Sequence, residues 1–160
     1  MVSPARRPPF EAPLHDLTLA LRDLMLTRPE LDRWHARALG VNELDYRALG
    51  MLLGQGPVTP GAMAEELGIS RTTTSNVIAR LVEAGHATTL RDPADRRHVL
   101  VSATQASRTR ALETMRPVIE RSESMVAAMT PEQAEAVGAF LGGVLAELTG
   151  VLSGLRDPRT

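Results

Sequence analysis

The chain has 160 residues, with 18 arginines and no lysine against 19 acidic residues, a formal net charge of -1 and no cysteine. That length fits one domain, or a compact core with flanking helices, and the lack of thiols excludes disulfides, thiolate zinc sites, cysteine nucleophiles and thiol-based peroxide sensing. The most apolar stretch, Gly138 to Leu155, is interrupted by glycines and Glu147, short of the roughly 20 continuous apolar residues of a membrane span, so a soluble, cytoplasmic protein with no membrane partner is expected.

Residues 1–13 are rich in proline and arginine without apolar periodicity and are expected to form a disordered arm. Arg6 and Arg7 are followed by prolines and a charge where an export signal would need an apolar segment. Leu14, Leu17, Leu21, Leu24 and Met25 then recur at helical spacing, and Pro29 predicts a break or bend before a second stretch with Trp34 and Leu39. Asn42 caps a further helix whose Leu44, Ala48, Met51 and Leu52 face inward and which closes at Gly54 and Gly56. Gly50 weakens that helix by about 1 kcal/mol.

Thr59 followed by Pro60 marks a strong helix start, a capping hydroxyl and then a residue whose missing N–H is harmless in the first turn. Gly68 ends this short helix, and Ser70 caps a second one running from Arg71 to about Ala84, stopped by Gly85. Thr88 to Arg91 and His98 to Ser102 are short β-branched segments around the polar DPADRR, which predicts a hairpin with an exposed tip. Thr104 caps a long helix to about Met129, and Thr130, Pro131 and Gln133 form a capping box for a last helix. Along it Val137, Leu141, Val144, Leu145, Leu148 and Leu152 make one apolar stripe.

The functional signal lies in the helix pair and the hairpin. In the second helix of the pair, Thr74, Val77, Ile78 and Leu81 share one face, leaving Arg71, Thr72, Ser75, Asn76, Ala79 and Arg80 outward. A helix in the major groove needs short hydroxyl and amide side chains near its N-terminus to meet base edges, with arginine for guanine or backbone. Arg96 and Arg97 at a wing tip suit an adjacent minor groove, and Asp95 can orient one of those guanidiniums. Charge agrees in sign, since residues 60–110 carry seven arginines against five acids and residues 111–160 four against seven. His15, His35, His86 and His98 lack metal-ligand spacing, and no GxSxG, Walker or dinucleotide glycine pattern occurs, so neither a metal, a cofactor nor catalysis is expected.

The run MAEELGISRTTTSNVIARLVEAGHA followed by TTLRDPADRRHVLVSAT resembles the MarR-type winged helix-turn-helix regulators, by motif over residues 44–110 and by element order over nearly the whole chain. The resemblance implies a mainly α fold with a small β-hairpin wing, in which residues 41–103 form a winged helix-turn-helix DNA-binding domain. Residues 14–40 and 104–155 would then form a helical dimerisation region. It further implies a homodimeric repressor that binds a pseudo-palindromic operator in double-stranded DNA and is released by a phenolic or other hydrophobic effector. Carried over by position, Ser70, Arg71, Thr72, Thr73, Ser75 and Asn76 would be recognition contacts and Arg80 a phosphate contact. Arg91 would touch the backbone, and Arg96 or Arg97, supported by Asp95, would enter the minor groove.

Leu17, Leu21, Leu24, Leu141, Val144, Leu145 and Leu148 would make the dimer, and Trp34, His35, Arg47, Met51 and Met115 would border the effector pocket. Two positions depart from the family pattern: His86 replaces a larger apolar residue and Ser107 a common glycine. A winged-helix protein-interaction module, or a DNA-binding activator without an effector, would share the same pattern.

Overall fold

The computed structural model describes residues 13–91, Asp95 and 99–156. In chain order these form α1 (Asp16–Leu39), α2 (Glu43–Gln55), α3 (Pro60–Leu67), α4 (Arg71–Glu83), β1 (Ala87–Arg91), β2 (Val99–Ala103), α5 (Gln105–Ala127) and α6 (Pro131–Arg156). They fall into two compact units on either side of Thr114. The expected disordered arm, 1–13, lies outside the described residues apart from Pro13.

Local chemistry sets the helix starts. Asn42 Oδ1 accepts from the Asp45 N–H at 2.9 Å, Thr59 Oγ1 from Ala62 at 3.1 Å, Ser70 Oγ from Thr73 at 3.1 Å and Thr104 Oγ1 from Ser107 at 3.1 Å. Each satisfies one of the amides a helix start leaves without an internal partner. Thr130 and Gln133 form the reciprocal box, at 2.9 and 3.3 Å. Gly68 (φ 67°) ends α3 in the left-handed conformation that a side chain disfavours.

Several boundaries differ from the sequence reading. α1 runs unbroken through Pro29; the ring removes one backbone donor, but in a helix of 24 residues the remaining bonds on both sides hold the turn. Gly54 lies inside α2, and Gly56 (φ 85°) closes it. The first strand begins one residue earlier than expected, at Ala87, and the second spans Val99–Ala103.

The core of the first unit is built from Leu39, Leu49, Leu52, Met63, Val77, Leu81 and Val101, all at most 2 % exposed. Each such side chain contributes about 1.5–3 kcal/mol by leaving water. On α2 the buried row is Asp45, Ala48, Leu49 and Leu52, with Leu44 and Met51 only partly covered. The inward face is therefore turned from the one the apolar pattern suggested, because a carboxylate occupies its first position. β1 and β2 pair antiparallel, Ala87 opposite Ala103 and Leu90 opposite Leu100. Val58, just before α3, bridges to Val101 through two backbone bonds of 3.0 and 2.8 Å, tying the helix pair to the hairpin.

In the second unit, α6 is long and apolar enough, by length and composition alone, to cross a membrane: an 18-residue window within Pro131–Gly154 has a mean hydropathy of 1.6. Counting uninterrupted apolar runs misses this, because the glycines that break a run scarcely lower its average.

Candidate nucleic-acid interface

α3, the turn at Gly68–Ile69 and α4 form the helix-turn-helix. Thr74, Val77 and Leu81 are buried, while Arg71, Thr72, Ser75, Asn76, Ala79 and Arg80 are exposed. One face of α4 is thus bound into the core and the opposite face presents hydroxyls, an amide and guanidiniums to solvent. Thr73 is half-buried.

Among the candidates on α4 and its cap, Ser70, Thr73, Ser75 and Arg80 have hydrogen-bond partners within the protein. Ser70 Oγ caps the helix and lies 2.9 Å from Thr73 Oγ1. The Ser75 hydroxyl donates to the Arg71 carbonyl at 3.0 Å, leaving its oxygen able to accept. Arg80 donates Nε to Asp45 Oδ2 at 2.8 Å and Nη2 to Asp45 Oδ1 at 2.5 Å, and this pairing holds its guanidinium still more firmly protonated.

In the wing, Arg91 is exposed at the end of β1 and Asp95 is half-buried. Arg96 and Arg97, the expected minor-groove residues, lie outside the described residues. Among the described residues no group of three or more His, Asp or Glu side chains is placed to hold a metal ion.

A second concave feature belongs to the same unit. Residues of α1 and α2, among them Asp32, Arg33, Arg37, Tyr46, Arg47 and Met51, border an open cleft of about 880 Å³. Tyr46 donates its phenolic proton to Asp32 Oδ1 at 3.2 Å, and the Tyr46 oxygen lies 3.0 Å from His35 Nδ1. Burial, then the charge of Asp32, raises the phenol's pKa, so it stays protonated. Among the described residues the buried Nε2 of His35 makes no hydrogen bond of ordinary geometry. Burial lowers the imidazole's pKa below 6.5, opposed by the Ala111 backbone and the charge of Asp32. Of the five residues expected at an effector pocket, Arg47 and Met51 line this cleft. His35 is buried behind Tyr46, Trp34 stacks on His35 at 6.2 Å, and Met115 belongs to the second unit.

Residues 39–98 match the model of the MarR family. An uncharacterized HTH-type transcriptional regulator of Bacillus subtilis, YcgE, is 30% identical over 107 residues, spanning 67% of this chain and 70% of the relative. The chain belongs to the MarR family. Its fold is similar to that of S. aureus MepR. A mutant MepR from a multidrug-resistant S. aureus clinical isolate superposes with a TM-score of 0.62 at 18% identity, over 86% of this chain and 99% of that one. MepR in complex with DNA gives 0.51 at 18% over 81% and 98%, and MepR bound to ethidium bromide 0.59 at 18% over 82% and 95%. This MarR-family chain is accordingly a winged-helix transcriptional regulator and not an enzyme.

Three contacts around the helix-turn-helix escaped the sequence. They are the Asp45–Arg80 pair, the Val58–Val101 bridge, and Arg108, whose guanidinium reaches the Leu52 and Leu53 carbonyls at the end of α2, each at 3.3 Å. All three join segments far apart in the chain, so no local spacing signals them. The one available clue was a charged residue, Asp45, interrupting an otherwise apolar helical face.

Proposed function

We propose that this MarR-family regulator is a cytoplasmic homodimeric repressor that reads a pseudo-palindromic operator through α4 and is released by a small-molecule effector. The observation that carries the DNA-reading part is the exposed row Arg71, Thr72, Ser75 and Asn76, backed by the buried row Thr74, Val77 and Leu81. A helix so anchored presents donors and acceptors of the right length for base edges. Arg97, or Arg96, serves the adjacent minor groove in this reading, with Asp95 as its support and Arg91 on the backbone.

One module contacts too few bases for an operator, and two must stand about 34–36 Å apart to meet successive major grooves. The exposed apolar rows on α1 (Leu17, Leu24) and α6 (Leu141, Leu145, Leu148) supply the dimer surface in this reading, with Leu21 and Val144 beside them. The α1–α2 cleft is the effector site, with Arg47 and Met51 on its wall. MepR, similar in fold, has been solved with DNA and with ethidium bromide, which supports a DNA-binding regulator that takes a small molecule.

The test is selection of duplexes from a random pool by the purified full-length protein, followed by binding across a salt series beside Asn76→Ala and Arg97→Ala. A single two-fold-symmetric duplex, bound with steep salt dependence and weakened by about 1–3 kcal/mol in Asn76→Ala, is the expected outcome. Recovery of no preferred duplex by a folded dimer would make the chain a protein-interaction module instead. A reporter carrying the selected site upstream or downstream of a promoter then separates repression from activation.

A further inference from the structure

Arg80 stands on the exposed side of α4, where a guanidinium would ordinarily reach for a phosphate, yet its fork is engaged within the protein. Nε and Nη2 each take one oxygen of the Asp45 carboxylate, at 2.8 and 2.5 Å. Asp45 is 3 % exposed. Its Oδ2 also accepts from Asn42 Nδ2 at 2.8 Å, while its backbone N–H donates to Asn42 Oδ1 at 2.9 Å. A carboxylate leaves water at a heavy cost unless paired and hydrogen-bonded. Here three donors and the N-terminal turn of α2, whose dipole favours an anion, meet that requirement.

Ala48, Leu49 and Leu52 of α2 and Val77 and Leu81 of α4 belong to one apolar core cluster. Apolar surfaces fix distance well and rotation about the helix axis poorly. A bidentate guanidinium–carboxylate pair fixes both. Rotation matters for reading DNA, because turning a helix by about 10° moves a side-chain tip some 5–6 Å from its axis by about 1 Å, enough to break a hydrogen bond to a base edge.

We propose that Asp45, acting through Arg80, is a positioning residue for DNA specificity: it holds α4 at the rotation about its axis that brings Thr72 and Asn76 to base edges, without touching DNA. Arg80 then serves the fold's aim and not a phosphate. Asn42 extends the same linkage to the wall of the α1–α2 cleft, so one buried carboxylate joins the cleft to the recognition helix. The inference rests on the DNA-reading function proposed above.

The test uses the full chain, the selected duplex and a scrambled duplex of equal length, each titrated over a salt series. Wild type is compared with Asp45→Asn, Arg80→Lys, Arg80→Ala and the Asp45→Asn/Arg80→Ala double variant. Arg80→Lys keeps a charge that suits a phosphate but lacks the fork. Each single variant is expected to weaken the selected duplex about tenfold or more and the scrambled one less than about twofold, with the salt slope unchanged. The double variant should be no worse than its weaker-binding parent.

The proposal is overturned if Arg80→Lys binds as wild type does, or if Asp45→Asn leaves the preference between duplexes intact. It is equally overturned if Arg80→Ala weakens both duplexes alike and lowers the salt slope by about 0.9, the signature of one lost phosphate contact. Arg80 is half-exposed, so its variants keep the test decisive even where Asp45→Asn fails to fold. A wild type that does not discriminate between the duplexes removes the DNA-reading function and this inference together; discrimination with unaffected variants removes the inference alone.

Discussion

The Nδ1 atom of His86 lies 2.9 Å from Ser107 Oγ, and its Nε2 lies 3.0 Å from the Leu39 carbonyl. A carbonyl only accepts, so Nε2 carries the proton and Nδ1 accepts from the serine hydroxyl. His86 is 4 % exposed and Ser107 3 %. One imidazole therefore joins the end of α1, the turn between α4 and β1, and the first turn of α5, with no polar group left over. These are the two positions that the sequence reading marked as unusual for the resemblance, and the structure joins them by one hydrogen bond.

That pairing predicts non-additive stability. His86→Leu strands the Ser107 hydroxyl and Ser107→Ala strands Nδ1, each at a cost of about 1–3 kcal/mol. The double variant His86→Leu/Ser107→Ala strands neither and should lose at least about 1 kcal/mol less than the sum of the singles. Urea denaturation of the four proteins measures this, and strictly additive losses would show that the two side chains do not depend on one another.

What the sequence disclosed and what it hid follow from the range of the interactions. The caps at Asn42, Thr59, Ser70 and Thr104 and the box at Thr130 and Gln133 act within one helical turn, so spacing alone placed those starts to within a residue or two. The exposed face of α4 was equally legible, because Thr74, Val77 and Leu81 repeat with the helical period. The buried face of α2 was not. Asp45 begins it, and an apolar pattern cannot count a carboxylate as buried until its partner, 35 residues away, is known. Pro29 misled for a related reason: the local penalty was right, but the cooperativity of the surrounding helix outweighs it. The pairing of His86 with Ser107 spans 21 residues and was visible only as two separate oddities.

Ser70 carries two roles that substitution separates. Its hydroxyl caps α4, so Ser70→Ala should lower stability by about 1 kcal/mol. Ser70→Asp restores a cap but sets an anion at the helix end proposed to face DNA phosphates. The expected result is near-wild-type melting with DNA affinity reduced on every sequence. Unchanged affinity in Ser70→Asp would move the N-terminus of α4 away from the nucleic acid.

His35 makes stability depend on pH. Its folded pKa lies below 6.5 because burial disfavours the cation. At pH well above 6.5 folded and unfolded chains both hold it neutral, and it contributes no pH dependence. Below 6.5 the unfolded chain takes up a proton that the folded chain resists, so stability falls as the pH is lowered toward the folded value, by at most about 1.4 kcal/mol per pH unit. Melting temperatures between about pH 7.5 and 5 should therefore decline less steeply for His35→Phe than for wild type. Parallel curves would mean that other groups dominate acid loss.

In the proposed reading, the apolar surface of α6 decides the state of assembly. Leu145 is 66 % exposed, Leu141 47 %, Val151 60 % and Leu152 59 %, while Leu17 and Leu24 on α1 are 57 % and 65 % exposed. Exposed apolar rows of this kind mark interaction surfaces, and a second copy covers them in the reading proposed above. Leu145→Glu places a charge in the middle of that surface, whereas Glu135→Lys changes a charge without touching the apolar row. Sedimentation should give a dimer for wild type and Glu135→Lys, and a folded monomer with weakened operator binding for Leu145→Glu, since each half-site must then be bound separately. A wild type that sediments as a monomer would sink the dimer. Recovery of the chain only with membranes would assign α6 to the bilayer, which its length and hydropathy allow but the three glutamates at positions 132, 135 and 147 make costly.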